Sequence, residues 1–242
     1  MQRRTFLSLC CVSVASLMPG QALAGAGEDK PRYAMVVDLR RCVGCQSCTV
    51  SCGAENAVPL GNFRTTVSEY AFGGVPAEHR EPVVAVIPRL CNHCDKPACV
   101  PVCPVGATFK RADGLVLIDA TTCIGCGFCV QACPYDARFI NCETHTADKC
   151  TFCAHRTAAG LLPACVENCV GGARIFGDLR DPQSAVSKML AAYDGKVAVL
   201  YPEKSTDPHV FYIGLSRCLT RADSIPPTVA HYPPGEVMTC AN

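Results

Sequence analysis

Hydrophobic positions along this chain come in short bursts, not in long periodic stretches. The longest run lies between Phe6 and Met18 and is too short to span a bilayer. No later segment reaches that length, so membrane attachment must come through a partner. Past residue 30 the apolar residues gather into strand-like runs: Tyr33 to Asp38 (YAMVVD), Pro82 to Pro88, Leu115 to Asp119 and Ala173 to Phe176. Each is short and β-branched or aromatic, and each leads into or out of a group of cysteines. Asp113-Gly114 marks a turn just before LVLID. One stretch predicts a helix: Asp181 can cap it, Pro182 suits its first turn, and the pattern runs to about Tyr193. Lys196 to Tyr201 and His209 to Leu215 predict two further strands. From Arg221 the chain is rich in proline and small residues, which predicts an extended arm over the surface or onto a partner.

Composition changes this picture. There are 21 cysteines in 242 residues and no tryptophan, so metal centres are expected to replace part of the usual core. Sixteen of the cysteines fall into four groups of four, an internal repeat. The first is Cys42, Cys45, Cys48 and Cys52. The second is Cys91, Cys94, Cys99 and Cys103. The third is Cys123, Cys126, Cys129 and Cys133, and the fourth is Cys150, Cys153, Cys165 and Cys169. The formal charge of +1 suggests neither a nucleic-acid nor a membrane-surface role. With sixteen thiolates around four cubane cores the loaded protein would carry about −7.

The spacing points to [4Fe-4S] clusters. A cubane needs one thiolate at each of its iron corners. In the run C-x2-C-x2-C-x3-C-P, three cysteines wrap one cluster and the fourth serves the other cluster of a pair. Group three matches this run through Pro134, and group two matches it with two extra residues before Cys99 and with Pro104. Group one has Gly53 in place of the proline, and group four has a long gap before Cys165 and Val170 after Cys169. Groups two and three are neighbours and the other two enclose them, which argues for a nested pairing. Cys91, Cys94, Cys99 and Cys133 then form one set, and Cys123, Cys126, Cys129 and Cys103 its mate. Cys42, Cys45, Cys48 and Cys169 form a third set, and Cys150, Cys153, Cys165 and Cys52 the fourth. Pairing one with two and three with four is the alternative. Gly44, Gly125 and Gly127 lie between ligands, where a side chain could keep backbone amides from sulfur.

Other uses of the cysteines fit less well. Zinc sites take two ligand pairs, not triplets at three-residue spacing, and a disulfide framework leaves the recurring spacing unexplained. The string C-x-x-C-H for haem attachment does not occur. Cys142, Cys218 and Cys240 are left over and read as buried or unpaired thiols. His93, His145, His155 and His209 read as packing or hydrogen-bonding groups, with a ligand role as the alternative. Arg40, Arg41, Lys149 and Arg156 flank groups one and four, where they either offset cluster charge or lie in solvent. No nucleophile elbow, phosphate loop or dinucleotide fingerprint is present, so no catalytic residue is assigned.

Residues 1–30 read as a targeting segment. Arg3 and Arg4 precede Phe6-Leu7 and the apolar run, and Ala22-Leu23-Ala24 is a cleavage candidate. The arrangement resembles a twin-arginine signal, which exports folded proteins; an ordinary secretory signal is the alternative. Cys10 and Cys11 belong to this segment.

From Arg32 to Leu215 the chain resembles the four-cluster iron–sulfur subunits of the molybdopterin oxidoreductase superfamily. Within it, strings such as RYAMVVDLRRCVGCQSCTVSC, VQACPYDARFINCETHTADKCTFCAHR, GLLPACVENCVGGARIFGD and DPHVFYIGL resemble the beta subunits of tetrathionate reductases. The resemblance supports the nested pairing. It implies an α+β fold of two fused ferredoxin-like modules over residues 31–180, followed at 181–242 by a C-terminal helix, strands and extended tail. It also implies an electron-transfer subunit without catalysis of its own, bearing four [4Fe-4S] clusters. The implied partners are a molybdopterin catalytic subunit and a membrane anchor that oxidises quinol, with the assembly on the periplasmic side.

Overall fold

The computed structural model describes residues 30–72, 83–215 and 229–230. The YAMVVD burst becomes β1 (Tyr33–Asp38). Helix α1 (Ser47–Asn56) follows, then a long hairpin of β2 (Thr65–Phe72) and β3 (Val83–Leu90). Two small hairpins come next, β4 (Thr108–Lys110) with β5 (Val116–Ile118), and β6 (Arg138–Ile140) with β7 (Ala147–Lys149), separated by α2 (Phe128–Gln131). Short helices α3 (Ala154–Ala158) and α4 (Ala164–Glu167) lead to β8 (Arg174–Asp178) and α5 (Ala185–Ala192). Strands β9 (Val197–Ala198), β10 (Val210–Ile213) and β11 (Val229–Ala230) complete the described elements. The class is mixed α+β, built from small sheets.

The largest sheet has the order β8-β1-β10-β9, with β1 and β10 parallel and the other pairs antiparallel. From Ala34 to Asp38 every residue of β1 is buried, because the sheet is covered on both faces. Alternate side chains point to opposite sides. Ala34 and Val36 pack with Val186 of α5 and Ile213, whereas Met35 and Val37 join the core that includes Cys48, Cys91, Cys94, Cys150 and Cys165. The sheet is therefore a floor with a helix beneath it and cysteine loops above.

Several elements depart from the sequence reading. The strand expected to end at Pro88 runs on to Leu90, since Pro88 stands opposite Val67 in the hairpin and the Gln46 side chain supplies a donor to the Val67 carbonyl (3.1 Å). Helix α5 starts later than Asp181. The Asp181 carboxylate accepts from the Gln183 amide (2.8 Å) in a turn, and Ser184 is the cap, accepting from the Ser187 amide (3.1 Å). The strand expected over Lys196 to Tyr201 shrinks to Val197–Ala198. The expected arm lies mostly outside the described residues; Val229 and Ala230 pair antiparallel with Glu69 and Ser68.

Candidate iron–sulfur sites

The four Cys-x-x-Cys loops repeat a backbone conformation as well as a spacing. The third residue of each is left-handed: Gly44 (φ 71°), His93 (φ 43°), Gly125 (φ 69°) and Phe152 (φ 51°). Two loops use glycine, which adopts this region freely. The other two use large rings that are fully buried and stack on each other, with centroids 3.9 Å apart. Packing thus holds His93 and Phe152 in a conformation that side chains disfavour. At Gly44 the backbone amide donates to the Cys42 sulfur, as the sequence suggested. Gly125 has a different reason: a Cβ there would lie 2.2 Å from the His145 carbonyl oxygen.

The structure brings cysteines of different groups together. One cavity is lined by Cys91, Cys94 and Cys99 and by Cys133 from the third group. Cys48 and Cys169 both act electrostatically on Cys42. Cys52 feels Cys165 and Cys153, and Cys150 feels Cys52 and Cys165. Asn56, one turn beyond Cys52 on α1, donates towards both Cys52 (3.6 Å) and Cys153 (3.8 Å). Cys129 packs beside Cys99 and Val116, with Cys123 at the edge of the same cluster. Cys103 lies among the backbone amides of Thr108, Val105, Ala107 and Gly106, which hold its thiol below the usual range. Of the sixteen, Cys45 and Cys126 are exposed.

Backbone amides aimed at sulfur recur, most of them two or four residues beyond the cysteine. The amides two and four residues on reach Cys133, from Tyr135 and Ala137. The Ala173 amide lies 3.2 Å from Cys169. The Phe152 amide is 3.4 Å from Cys150, and the Ala147 amide 3.4 Å from Cys123. These are donors for thiolates, not for thiols. Yet burial pushes Cys52 and Cys94 up to about 12 and Cys99 up to about 11. Bonding to iron would make such groups anionic at neutral pH, so loading would release protons.

The residues present fit a [4Fe-4S] group. Asn92 and Arg138 border the Cys91 cavity, and both amide atoms of Asn92 and the Nε of Arg138 are buried without a hydrogen-bond partner. Each such group costs about 1–3 kcal/mol when left unpaired. Inorganic sulfides would supply acceptors for the two donors. Among the described residues no three His, Cys, Asp or Glu side chains converge on a single ion position. A cubane needs its four thiolates standing apart, around its corners.

The histidines take structural places. His93 stacks on Phe152 and accepts from the Val116 amide (3.1 Å), while His155 meets Glu55 (2.8 Å) and His209 meets the His93 carbonyl (3.1 Å). Among the flanking cations, Arg40 pairs with Asp38 (2.6 Å) and lies over Tyr193, and Arg156 ties Glu55 to Glu167. Lys149 is 1% exposed, so it is no surface charge. The sequence reading missed Arg138 and Arg174, which are as deeply buried and reach cysteine sulfur. The reading of Cys142 as a buried or unpaired thiol is corrected, since it is disulfide-bonded; Cys218 and Cys240 lie outside the described residues.

Comparison with known proteins settles the family. The model of the 4Fe-4S dicluster domain matches residues 83–179. The tetrathionate reductase B subunit of Salmonella typhimurium is 63% identical over 190 residues, which is 78% of this chain and 75% of that one. The chain belongs to the iron–sulfur B subunits of tetrathionate reductase and related oxidoreductases. The tetrathionate reductase B subunit of Archaeoglobus fulgidus is 49% identical over 78% of this chain and 85% of its own. The sulfite dehydrogenase B subunit of Allochromatium vinosum is 39% identical over 75% and 82%. As a member of this family the chain holds [4Fe-4S] clusters, transfers electrons and is not itself catalytic. No helix among the described residues is long and apolar enough to cross a membrane.

Proposed function

We propose that this chain relays electrons in a tetrathionate reductase. It would stand between a membrane subunit that oxidises quinol and a molybdopterin subunit that reduces tetrathionate. Bound to it, four [4Fe-4S] clusters supply one-electron exchange without bond chemistry on this chain. The nested ligand sets are those given above: Cys42, Cys45, Cys48 with Cys169; Cys150, Cys153, Cys165 with Cys52; Cys91, Cys94, Cys99 with Cys133; Cys123, Cys126, Cys129 with Cys103. The observation that supports this reading is the meeting of cysteines from different groups. Cys133 lines the cavity of the second group, and Cys52 lies among Cys150, Cys153 and Cys165. The proposal includes two fused modules over residues 31–180, which that meeting of groups supports, and a C-terminal extension over 181–242.

The exposed cysteines support two ends for the relay. Cys45 has exposed Val43 beside it, and Val170 adjoins Cys169 of the same set. Cys126 lies between exposed Ile124 and Phe128. Apolar patches beside the least buried ligands suit permanent partner surfaces. The residues between them bury the inner thiols, exclude water and aim amides at sulfur.

Export to the periplasm through a twin-arginine leader in residues 1–30 completes the proposal. The Arg3-Arg4 pair supports it, and so does the Cys142 bridge, since disulfides persist in oxidising compartments. The test is anaerobic isolation of the native complex. About sixteen irons per chain, four per cluster, are expected, with a molybdenum subunit that copurifies and tetrathionate-dependent quinol oxidation. Iron near eight per chain removes the second module, and a soluble chain without partners removes the relay.

A further inference from the structure

Among the described residues, three buried cations have side chains that pair with no carboxylate. Arg174, Lys149 and Arg138 are 3%, 1% and 3% exposed. Arg174, the first residue of β8, places Nη1 3.7 Å from Cys165 Sγ and donates from Nη2 to Thr65 Oγ1 (2.7 Å). Lys149, the last residue of β7, donates from Nζ to the Val116 and Cys150 carbonyls. Arg138, the first residue of β6, donates from Nη2 to Cys99 Sγ (2.8 Å) and from Nη1 to Thr108 Oγ1 (3.3 Å). Their hydrogen-bond partners are hydroxyls, carbonyls and sulfur. A buried charge is costly unless an opposite charge compensates it. Here the compensating charge belongs to cysteine.

The thiolates around each cation come from more than one ligand set. Those acting on Arg174 are Cys165, Cys48 and Cys150. Those acting on Lys149 are Cys91, Cys150 and Cys99, and those acting on Arg138 are Cys99, Cys91 and Cys129. With the nested sets in the order Cys42, Cys150, Cys91, Cys123, the thiolates that act on each cation belong to two consecutive sets. Arg174 stands in the first interval, Lys149 in the second and Arg138 in the third. The geometry points to one buried positive charge in each interval of the relay, raising the reduction potentials of the two clusters it lies between. This rests on the nested ligand sets proposed above. The physical reason is direct: an added electron makes a cluster more negative, and a nearby cation in a medium of low dielectric constant favours that form. One charge shared by two neighbours shifts both potentials in the same direction, which a charge beside a single cluster would not do.

The test uses the full chain in its native complex, purified anaerobically, with Arg174→Gln, Lys149→Gln and Arg138→Gln. Iron is counted, and each cluster is followed by electron paramagnetic resonance during a redox titration. At full iron, Arg174→Gln lowers two of the four midpoint potentials and Arg138→Gln lowers the other two. Lys149→Gln lowers one from each pair. Unmoved potentials, or one common set of signals displaced by all three, overturn the proposal. The exchanges Arg174→Lys, Lys149→Arg and Arg138→Lys keep the charge while changing the hydrogen bonds. They decide the matter wherever a glutamine variant loses iron: potentials that hold sustain the proposal, and potentials that fall overturn it. Failure of the ligand reading shows in the unsubstituted protein, as iron near eight per chain. Failure of the cations' role shows only in the variants, at full iron.

Discussion

A methyl group added at Gly125 has nowhere to go. Its Cβ would meet the His145 carbonyl oxygen at 2.2 Å, and the residue is also left-handed. Gly127 is left-handed too, but a Cβ there meets nothing within 4 Å. Gly127→Ala should therefore cost about 1 kcal/mol, the conformational penalty alone. Gly125→Ala should cost about 3 kcal/mol, because backbone must also move. Denaturant unfolding of the two loaded proteins under argon measures the difference. His209 makes a second prediction. Burial, reinforced by the Arg32 guanidinium, holds its ring below the ordinary histidine range, and the His93 carbonyl and Asp95 only partly oppose this, with Lys110 adding to the depression. The folded-state pKa is lowered, so the unfolded chain takes up the proton first as pH falls. The contribution of His209 is complete above about 6.5 and is lost as pH drops towards the folded value. His209→Gln should flatten the loss of melting temperature between about pH 6.5 and 5. At this scale the four cysteine groups could be read from spacing, since each group is nearly contiguous in the chain. Arg138 and Arg174 could not, because each begins a strand and is held by a partner far away in the chain: Arg138 by Cys99 and Arg174 by Thr65. Lys149 is one residue from Cys150, yet its burial comes from packing around β5, which no string of letters displays.

At the scale of elements, Ser184 is the sharpest case. Its hydroxyl accepts from the Ser187 amide and donates to the Asp178 carbonyl (2.6 Å), so it both caps α5 and ties it to β8. Ser184→Ala should cost about 1 kcal/mol, read as a lower denaturant midpoint with iron content unchanged. An added Ser184→Asp exchange should recover part of the loss by restoring an acceptor. Sequence reading placed this helix but chose Asp181, because either residue can cap and only the turn at Gln183 separates them. The central strand β1 was legible since both of its faces are buried and it reads as one apolar burst. Helix α1 was not, for SCTVSCGAEN has little apolar periodicity, and its place is fixed by thiols and by Ser47 donating to the Asn168 carbonyl (2.8 Å). The β6–β7 hairpin escaped for a similar reason: strands of three residues carry no readable alternation.

At the scale of the molecule, the exposed apolar residues near Cys45 and Cys126 carry the prediction. Val43→Lys with Val170→Lys should weaken retention of one partner subunit, while iron content and the melting temperature of the free chain stay as before. Ile124→Lys with Phe128→Lys should do the same for the other. Pull-down of the complex followed by iron analysis checks both. At this scale the cysteine repeat was what the sequence displayed. The floor sheet, which joins β1 to strands more than a hundred residues later, has no counterpart in the spacing of cysteines.

The Cys142 bridge sets sixteen reduced sulfurs beside one oxidised pair in a single polypeptide. These demands belong to opposite chemistries and cannot be met at the same moment. On the export route proposed above, the inorganic cargo is seated first, while reductant is plentiful, and the bridge closes afterwards. A chain released empty into an oxidant would knot its own sulfurs at random. The state of Cys142 is therefore a stamp of passage: a gel-shift alkylation assay on newly made chains should find it open wherever assembly is under way and closed on every finished copy.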